Sequence, residues 1–584
     1  MFERLIYVGD NEARIALNMS ANLDDVMNLP IVIEDSSRKI LGEVKDVDRE
    51  VATVKLLGEI TEGKFTEGVL RKPNLSSTIR PLQLEELFMI VGEEKYGNME
   101  IGTSPFYGNK KVYAPLNNLF SNHIAIFGNS GSGKSWGTTR FLQNIFRIPN
   151  FIPYRSNFII FDASGEYYSA FSNMNTINPN YNYRFITTST VLDKPNSERL
   201  NIPIWLMDSY DLSLILQVKN HVSISILDKA LKIVKIFAKN SDEANRYKNH
   251  LIARAIMNIL YSSQPSASKR DEVFSVLNTC TTAEFSRETV VHGIGYTRKF
   301  QDCFLIDTNG QFSERVLLTE YVSSFIDSKY EQMDVTDINY YTLEDLEKAL
   351  NFTLISEGYL KNENVYADAI TLRVKLHELV IGENSKFFKY PNFINQQNYV
   401  KSLIVGSGKK YQIININLED VDDKFASAIV KVISKMIFEF SKEIERASLP
   451  FNLFVEEAHR YIKNDSDGEL LGYNIFDRIA KEGRKYGVML ALVSQRPVDI
   501  SETVISQCSN FLIFKMSHPR DIEYITKMIS NITEDIIDKQ KSLQVGNCLV
   551  FGSAFKVPMI IKVEAPNPIP QSSNSDVLTR WVKN

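Results

Sequence analysis

The stretch 124–135 carries the strongest chemical signal in the chain, because an apolar run breaks into a glycine-rich loop that ends in Lys134 and Ser135. The loop has the spacing G-x-x-x-x-G-K-[ST], in which glycines let successive backbone N–H groups turn toward phosphate oxygens. Lys134 can then reach the β- and γ-phosphates, and the Ser135 hydroxyl can hold Mg²⁺. A helix is predicted from about Lys134 through Phe146, and its N-terminal dipole attracts the same anion. The sequence therefore predicts a nucleoside triphosphate site formed by Gly128, Asn129, Ser130, Gly131, Ser132, Gly133, Lys134, Ser135 and Trp136.

Two adjacent acids, Glu456 and Glu457, follow the mostly apolar run 452–455. A short buried strand with two acids at its end can place one carboxylate near the Mg²⁺ shell and the next beside an attacking water. In this interpretation Glu456 serves the metal and Glu457 is the general base. An ion-paired strand end is the alternative that the same residues allow.

A further strand-end acid, Asp162, closes the apolar run 158–161 and is followed by Gly165 and Glu166. Acids in this position beside a phosphate loop often serve magnesium or water. An aspartate also caps a turn by itself. The local sequence leaves both roles open for Asp162.

The basic segment 481–487 contains Arg484 and precedes a buried run that leads to Gln495. An arginine at a subunit edge can neutralise transition-state charge on a neighbouring subunit's nucleotide, and a strand-end glutamine can sense the γ-phosphate. A solvated basic turn is the alternative for Arg484.

The elements that must position these groups indicate an α/β fold with several domains. Residues 1–95 alternate short β-rich runs with turn residues, which predicts a small β-barrel. Residues 96–205 and 396–564 together are predicted to form the core, where continuous apolar runs alternate with helical patterns as in a parallel sheet that binds ligands at its carboxyl ends. Residues 206–395 are predicted to be an inserted helical subdomain, apart from a short β-rich run from Asp302 to Asp307. Residues 565–584 are expected to be an extended or disordered arm.

Composition restricts the class of protein. A chain of 584 residues with 44% hydrophobic and 11% aromatic residues can fill several domains. No run approaches about 18 uncharged apolar residues, and the N-terminal residues lack a signal-peptide pattern, so we expect no membrane association and a cytoplasmic location. The four cysteines are scattered without a C-x-x-C pair, which speaks against a zinc site or a disulfide framework. A net charge of −5 is compatible with nucleic acid only in a local basic channel.

Taken together, these motifs resemble the HerA group of hexameric translocase ATPases within the HerA/FtsK superfamily. The resemblance runs along almost the whole chain and rests on the ordered segments 123–135, 162–167, 201–205, 456–460, 482–487 and 494–497. The N-terminal β segment looks like the HAS-barrel of that family. The resemblance implies a RecA-like P-loop ATPase core, with ATP bound between the subunits of a ring-shaped homo-hexamer.

The resemblance also implies roles for individual residues. Lys134 and Ser135 would hold ATP and Mg²⁺. The hydrolysis centre would contain Asp162 and Glu457, with Gln495 as sensor and Arg484 as trans-acting finger. The sequence departs from the family pattern at two positions. Asn122 stands where family members often carry a basic residue, so a second trans arginine is not expected there, and Glu456 replaces the aspartate of the generic phosphate-loop pattern.

Two functions of different classes follow from the resemblance. In the first, the protein is a translocase that passes double-stranded DNA through a central channel and feeds it to a separate nuclease such as NurA. In the second, it is a ring scaffold that regulates a separate effector, a nuclease or a sirtuin-like NADase, in anti-phage defence. The sequence contains no effector motif of its own, so either function needs a partner protein. A conjugation or secretion ATPase is disfavoured because no membrane-anchoring segment is evident.

Channel contacts in such a motor would come from basic loops that grip phosphates without regard to base sequence. The candidates are Lys409, Lys410 and the loop 463–473. Solvated basic turns are the alternative interpretation of the same residues.

Overall fold

A 12-stranded sheet forms the centre of the computed structural model, which describes residues 2–18, 26–35, 38–331, 339–463, 474–528, 534–571 and 581–582. The strands from Ser197–Arg199 to Cys508–Phe514 run parallel, and the remaining strands continue the sheet in antiparallel fashion. Their spatial order is Ser197–Arg199, Tyr183–Thr187, Ile413–Asn417, Asn157–Asp162, Phe451–Glu456, Val488–Ser494, His123–Phe127, Cys508–Phe514, Asn547–Gly552, Met559–Lys562, Asn98–Ser104 and Lys110–Pro115.

The central strand His123–Phe127 is buried along its whole length. Ala125 and Phe127 lie in the core on one face of the sheet, whereas Ile124 and Ile126 lie in the core on the other face. A parallel strand covered on both faces needs a continuous apolar run, which is the pattern that the sequence shows. The covering and connecting helices are Leu84–Val91, Leu116–Phe120, Lys134–Ile145, Tyr168–Phe171, Asp423–Glu443, Ile475–Tyr486, Glu502–Ser506, Pro519–Met528 and Glu534–Lys541.

The parallel arrangement brings the carboxyl ends of four neighbouring strands to one edge of the sheet, which we call the carboxyl edge. These strands are Asn157–Asp162, Phe451–Glu456, Val488–Ser494 and His123–Phe127. The chain segments that follow them include the phosphate loop and most of the predicted site residues. Open α/β sheets bind their ligands at this edge.

A separate antiparallel sheet precedes the core. Its strands are, in spatial order, Phe2–Val8, Glu12–Leu17, Val51–Thr61, Arg38–Asp48, Pro30–Asp35 and Thr78–Pro81, and Lys64–Glu67 pairs with Val51–Thr61. Buried and partly exposed residues alternate along Val51–Thr61, as expected when only one face of a sheet packs on a core. The edge strands Phe2–Val8 and Thr78–Pro81 approach each other, so the sheet curls toward a barrel.

The segment between strands Ser197–Arg199 and Ile413–Asn417 is mainly helical. Its helices are Ser209–Ile215, His221–Phe237, Asp242–Leu260, Ser266–Thr279, Arg315–Ser323, Leu343–Ser356, Tyr366–Ile381 and Gln396–Ile404. Two details differ from the sequence prediction. A β-hairpin, Val290–Gly293 with Tyr296–Lys299, went unpredicted, and the run from Asp302 to Asp307 is not a strand: Phe300–Phe304 is a 3₁₀ helix and Ile306 makes one isolated bridge. The predicted α/β fold class, with its P-loop core, N-terminal β domain and helical insertion, is confirmed.

Candidate nucleotide-binding and hydrolysis site

The phosphate loop joins strand His123–Phe127 to helix Lys134–Ile145, which we call the phosphate-loop helix. Gly131 and Gly133 have φ values of 73° and 94°, a left-handed conformation that glycine adopts without strain. A Cβ atom on Gly128 would lie 2.6 Å from the Cβ of Phe514, so the backbone passes too close to the neighbouring strand for any side chain. The glycines at these positions therefore allow the path that the loop takes.

Neighbouring strands fix the loop through main-chain hydrogen bonds. The N–H of Gly128 donates to the carbonyl of Ser494 at 3.2 Å, and the N–H of Asn129 donates to that of Lys515 at 3.0 Å. The Ser132 hydroxyl is buried and has no hydrogen-bond partner among the described residues. A buried donor without a partner is costly unless a ligand satisfies it, so the loop fits the phosphate chain of a nucleotide. Trp136 lies in the first turn of the helix with 39% of its surface exposed.

Lys134 and Glu457 face each other at the mouth of the loop. Lys134 Nζ lies 3.5 Å from Glu457 Oε1, and the side chains are 6% and 12% exposed. Glu457 has φ 48° and ψ 45°, a left-handed conformation that ends the strand and turns the carboxylate toward the loop. Strained backbone of this kind is concentrated at functional sites.

Two further side chains contact the Glu457 carboxylate. Gln495 Nε2 donates to Glu457 Oε1 at 3.4 Å. His459 Nδ1 lies 3.3 Å from Glu457 Oε2 and 3.1 Å from the Ser494 hydroxyl. Burial lowers the pKa of His459, which favours the neutral ring. The structure therefore brings Lys134, Glu457 and Gln495 together, as the predicted site requires.

Glu456 is the last residue of strand Phe451–Glu456. Only 3% of its surface is exposed, and its Oε2 accepts a hydrogen bond from the N–H of Ala163 at 3.2 Å. Burial, followed by the nearby charge of Asp162, raises the pKa of Glu456 well above its ordinary value. Its predicted role as a metal ligand stays a prediction.

Asp162 is fully buried at the end of its strand and accepts hydrogen bonds from the turn that follows. Its Oδ1 accepts from the N–H of Glu166 at 3.1 Å, and its Oδ2 accepts from the N–H of Tyr167 at 3.1 Å and from Asn415 Nδ2 at 3.0 Å. This is the geometry of a carboxylate that holds a turn in place. The turn aims the next acid, Glu166, at the phosphate loop.

Glu166 was singled out in the sequence but given no role, and the structure places it beside Ser135. Burial raises its pKa, a hydrogen bond with Ser135 lowers it, and Asp162, Lys134 and Glu457 are close enough to act on it electrostatically. Glu166 Oε2 is buried without a hydrogen-bond partner in the described structure. The signal in the sequence was an acid four residues after Asp162, although no spacing rule indicates which of the two faces the loop.

Ser135 and Glu166 provide oxygen donors of the kind that Mg²⁺ prefers. Within the described residues, no group of three or more His, Cys, Asp or Glu side chains forms a ready-made metal site. Mg²⁺ in nucleotide sites keeps several waters and binds through one or two protein oxygens and the phosphates. The site therefore fits a magnesium ion that arrives with its nucleotide.

Arg484 lies at the opposite edge of the sheet. It is exposed in the last turn of helix Ile475–Tyr486, just before strand Val488–Ser494 begins. The strand His123–Phe127 separates that edge from the phosphate loop, a distance of roughly 16 Å at about 3.3 Å per residue. Arg484 therefore lies away from the phosphate loop of its own chain.

His123 connects these two parts of the core. Its Nε2 donates to the carbonyl of Ala480 at 3.0 Å, and its Nδ1 accepts from the N–H of Leu490 at 2.9 Å. Burial lowers the pKa of His123 to about 4. The preceding residue, Asn122, is also buried and donates to the carbonyl of Asn118 at 2.8 Å, so it serves local structure.

The predicted channel residues are not part of this site. Lys409 and Lys410 form a short hairpin strand that precedes Ile413–Asn417, at the edge opposite the phosphate loop. Lys410 Nζ donates to the carbonyl of Ser156 and to Asn157 Oδ1, at 2.9 and 2.7 Å, whereas Lys409 is exposed. Of the predicted loop 463–473, residues 464–473 lie outside the described residues. No helix in the described part of the chain has the length and apolar character to cross a membrane.

Comparison with known proteins adds an independent observation. Residues 99–294 match the family described as "Helicase HerA, central domain". The chain is also 24% identical to the DNA double-strand break repair helicase HerA of Sulfolobus acidocaldarius over 568 residues, which are 96% of this chain and 86% of that protein. The chain is therefore similar to HerA helicases along almost its whole length.

Other comparisons cover less sequence or are more distant. The HerA helicase of Saccharolobus solfataricus is 29% identical over 204 residues, a match that spans 33% of this chain and only 40% of that relative. Among solved structures, VirB4 of Thermoanaerobacter pseudethanolicus aligns with a TM-score of 0.46 and 14% identity, covering 81% of this chain and 98% of VirB4.

Proposed function

We propose that this protein is a HerA-like, Mg²⁺-dependent ATPase that uses hydrolysis to translocate double-stranded DNA. The observation that carries the proposal is the meeting of Lys134, Glu457 and Gln495 at the mouth of a phosphate loop whose Ser132 hydroxyl has no partner. The names of the relatives, which are DNA double-strand break repair helicases, support the choice of DNA as the substrate of the motor.

Binding begins with the loop. The N–H groups from Asn129 to Ser135 and the Ser132 hydroxyl donate to the phosphate oxygens of ATP, and the helix dipole adds positive potential. Lys134 is drawn from Glu457 to the β- and γ-phosphates. Ser135 would hold Mg²⁺, with Glu166 beside it and Glu456 further inside. When bound, the ion neutralises charge on the phosphates.

Hydrolysis then depends on Glu457. Once Lys134 has moved to the phosphates, the Glu457 carboxylate is free to accept a proton from the water that attacks the γ-phosphorus. Gln495, which already donates to Glu457, can orient that water or report the presence of the γ-phosphate. Asp162 acts by holding the turn that presents Glu166.

The position of Arg484 supports a ring. Its guanidinium would complete the site of a neighbouring subunit by neutralising transition-state charge, because it cannot reach its own. We propose a homo-hexamer with DNA in the central channel, held by phosphate contacts that do not depend on base sequence.

A separate effector is part of the proposal, because the sequence contains no nuclease or NADase motif. We propose that the ring acts with a NurA-like or other nuclease, or with a sirtuin-like NADase, in anti-phage defence. In the alternative, the ring is a scaffold in which ATP controls the effector and translocation is secondary. The response of the ATPase rate to DNA distinguishes the two functions.

The test is the ATPase rate of the purified protein with and without linear duplex DNA at several salt concentrations. Wild type is compared with Lys134→Ala and Glu457→Gln, with Lys348→Ala, on the exposed side of helix Leu343–Ser356, as an exposed-lysine control outside the site. The translocase proposal expects DNA to raise a rate that both site variants abolish, and salt to weaken the stimulation.

Two other outcomes have distinct meanings. Hydrolysis that requires both residues but ignores DNA supports the scaffold alternative. Hydrolysis that survives in both variants contradicts the assignment of the catalytic site.

A further inference from the structure

The segment 564–571 after the last strand, Met559–Lys562, lies across the phosphate-loop helix, and we call it the C-terminal strap. The strap forms neither helix nor strand, and its Pro566 and Pro570 are buried. Prolines fix φ and lack an N–H, so such a segment pairs with the surface below it through carbonyl oxygens and the few remaining amides. Those contacts determine where the strap lies.

Gln143 holds the middle of the strap. This side chain, on the outer part of the phosphate-loop helix, is fully buried. Its Oε1 accepts from the N–H of Asn567 at 2.9 Å, and its Nε2 donates to the carbonyl of Pro568 at 2.8 Å. Arg147, one turn further on, donates to the carbonyl of Asn567 at 2.5 Å. A primary amide that donates to one main-chain group of a segment and accepts from another holds that segment in a defined position.

The start of the strap is held by charge. The Arg140 guanidinium pairs with the Glu564 carboxylate. Arg140 and Gln143 are three residues apart on one face of the helix, and Arg147 follows in the turn after its end. The strap therefore follows this face.

The end of the strap reaches the turn that carries Glu166. The Ser169 hydroxyl donates to the carbonyl of Ile569 at 2.7 Å, and the N–H of Gln571 donates to the carbonyl of Glu166 at 2.8 Å. The Glu166 side chain in turn meets Ser135, at the start of the helix that bears Gln143. The strap, the helix and the turn therefore all contact one another around the Ser135–Glu166 pair.

We propose that the C-terminal strap positions Glu166 against Ser135 and that Gln143 is the positioning residue that holds the strap. The inference rests on the proposed nucleotide-binding function and adds a part of the chain that is remote in sequence from every predicted site residue. Outer contacts of this kind orient the oxygen donors around a metal, and their loss commonly weakens metal binding on the order of 10- to 100-fold. Gln143 itself touches neither nucleotide nor metal.

The test compares Gln143→Ala with a matched control, Gln412→Ala. Gln412 is also fully buried and also bridges two main-chain groups, accepting from the N–H of Asn182 and donating to the carbonyl of Tyr154, but at the opposite edge of the sheet. Ser169→Ala, which removes one strap contact at a half-buried position, provides a milder variant that keeps the core intact.

Two readouts are measured on the full chain. Hydrogen exchange of the peptide 564–571 reports strap docking without nucleotide. The Mg²⁺ concentration that gives half-maximal binding of a fluorescent ATP analogue reports the site, with binding in EDTA as reference. We expect Gln143→Ala to speed strap exchange and to raise that Mg²⁺ concentration on the order of tenfold, with unchanged binding in EDTA. Ser169→Ala should shift both readouts in the same direction by a smaller factor, and Gln412→Ala should shift neither.

The inference is overturned if strap exchange accelerates in Gln143→Ala or Ser169→Ala while the Mg²⁺ dependence stays that of wild type. It is also overturned if Gln412→Ala shifts the Mg²⁺ dependence as much, because general loosening would then be the cause. If wild type binds no nucleotide at any Mg²⁺ concentration, the proposed function fails and the inference fails with it.

Discussion

Lys134 Nζ lies 3.5 Å from Glu457 Oε1 in a pair that is almost fully buried. The lysine that is expected to bind the γ-phosphate therefore neutralises the carboxylate that is expected to activate water. We expect binding of a phosphate chain to separate the two, since the phosphate competes for the ammonium group. In the proposed mechanism, the pair links the arrival of substrate to the release of the general base.

The first prediction concerns that pair. Glu457→Gln should lower the single-turnover rate of ATP hydrolysis on the order of 10²- to 10⁴-fold, because the amide cannot accept the proton that the Glu457 carboxylate is expected to take. Nucleotide affinity should persist, since Lys134 and the loop are intact. Fluorescent-nucleotide binding and quenched-flow hydrolysis measure the two effects. The exposed-helix variant Glu482→Gln is the control, and loss of binding together with hydrolysis in Glu457→Gln would contradict the assignment.

The second prediction concerns Arg484, which lies at the edge of the sheet away from its own phosphate loop. Arg484→Ala and Glu457→Gln should each be inactive alone. Mixing the two proteins should restore part of the ATPase rate, because some interfaces then combine an intact Glu457 with an intact Arg484 from the neighbour. Lys485→Ala, in the same exposed turn, should stay active. An unmixed Arg484→Ala protein with the wild-type rate would exclude the trans-acting role.

The third prediction separates the two roles left open for Asp162. Asp162→Asn replaces an acceptor of three N–H groups with an amide, so at least one buried donor loses its partner, at a cost of about 1–3 kcal/mol in the free energy of unfolding. Glu166→Gln, which breaks none of these bonds, should change that free energy by less than about 0.5 kcal/mol. Chemical denaturation measures both. Unchanged stability of Asp162→Asn with abolished hydrolysis would instead favour a direct catalytic role.

The fourth prediction concerns pH. Burial lowers the pKa of His123 to about 4 from an ordinary value of 6.5. Between these values the unfolded chain binds a proton that the folded protein does not, so the free energy of unfolding is undiminished above pH 6.5 and falls as the pH drops toward 4. The loss amounts to roughly 3 kcal/mol at most. Thermal unfolding of wild type and His123→Asn across this range should show a shallower pH dependence in the variant.

A control for the pH experiment is His377→Asn, since His377 is exposed beside Glu347 in the helical insertion. That variant replaces a histidine at the surface and leaves His123 in place, so it separates the effect of His123 from that of replacing a histidine elsewhere. Identical slopes of unfolding stability against pH for wild type and His123→Asn would show that the pKa of His123 does not differ between the folded and unfolded states.

The phosphate loop and its flanking elements could be predicted because their determinants are local. The apolar run before Gly128, the glycine spacing and the helix pattern after Lys134 lie within one short stretch, and strand His123–Phe127 and helix Lys134–Ile145 confirm that prediction. The hairpin at Val290–Lys299 was missed because its strands are short and mostly exposed, which leaves little hydrophobic alternation to detect.

The separate roles of the neighbouring acids, unlike the phosphate loop, could not be predicted from local sequence. Asp162 and Glu166 belong to one turn, and the sequence named both without separating them. Asn415, on an adjacent strand, donates to Asp162, while the start of the phosphate-loop helix receives Glu166. The partners of these carboxylates come from distant parts of the chain, so only the packed sheet decides which acid is buried and which faces the loop.

By itself, the sequence determined that this protein has a nucleotide-binding loop in an α/β core, because loop, strand and helix follow from short-range spacing and hydrophobic pattern. Only the tertiary structure decided that Lys134 meets Glu457, that Arg484 faces away from its own site, and that Gln143 clamps residues more than 400 positions later. Such contacts depend on the order and direction of strands in the sheet, since strand pairing sets which distant residues share an edge.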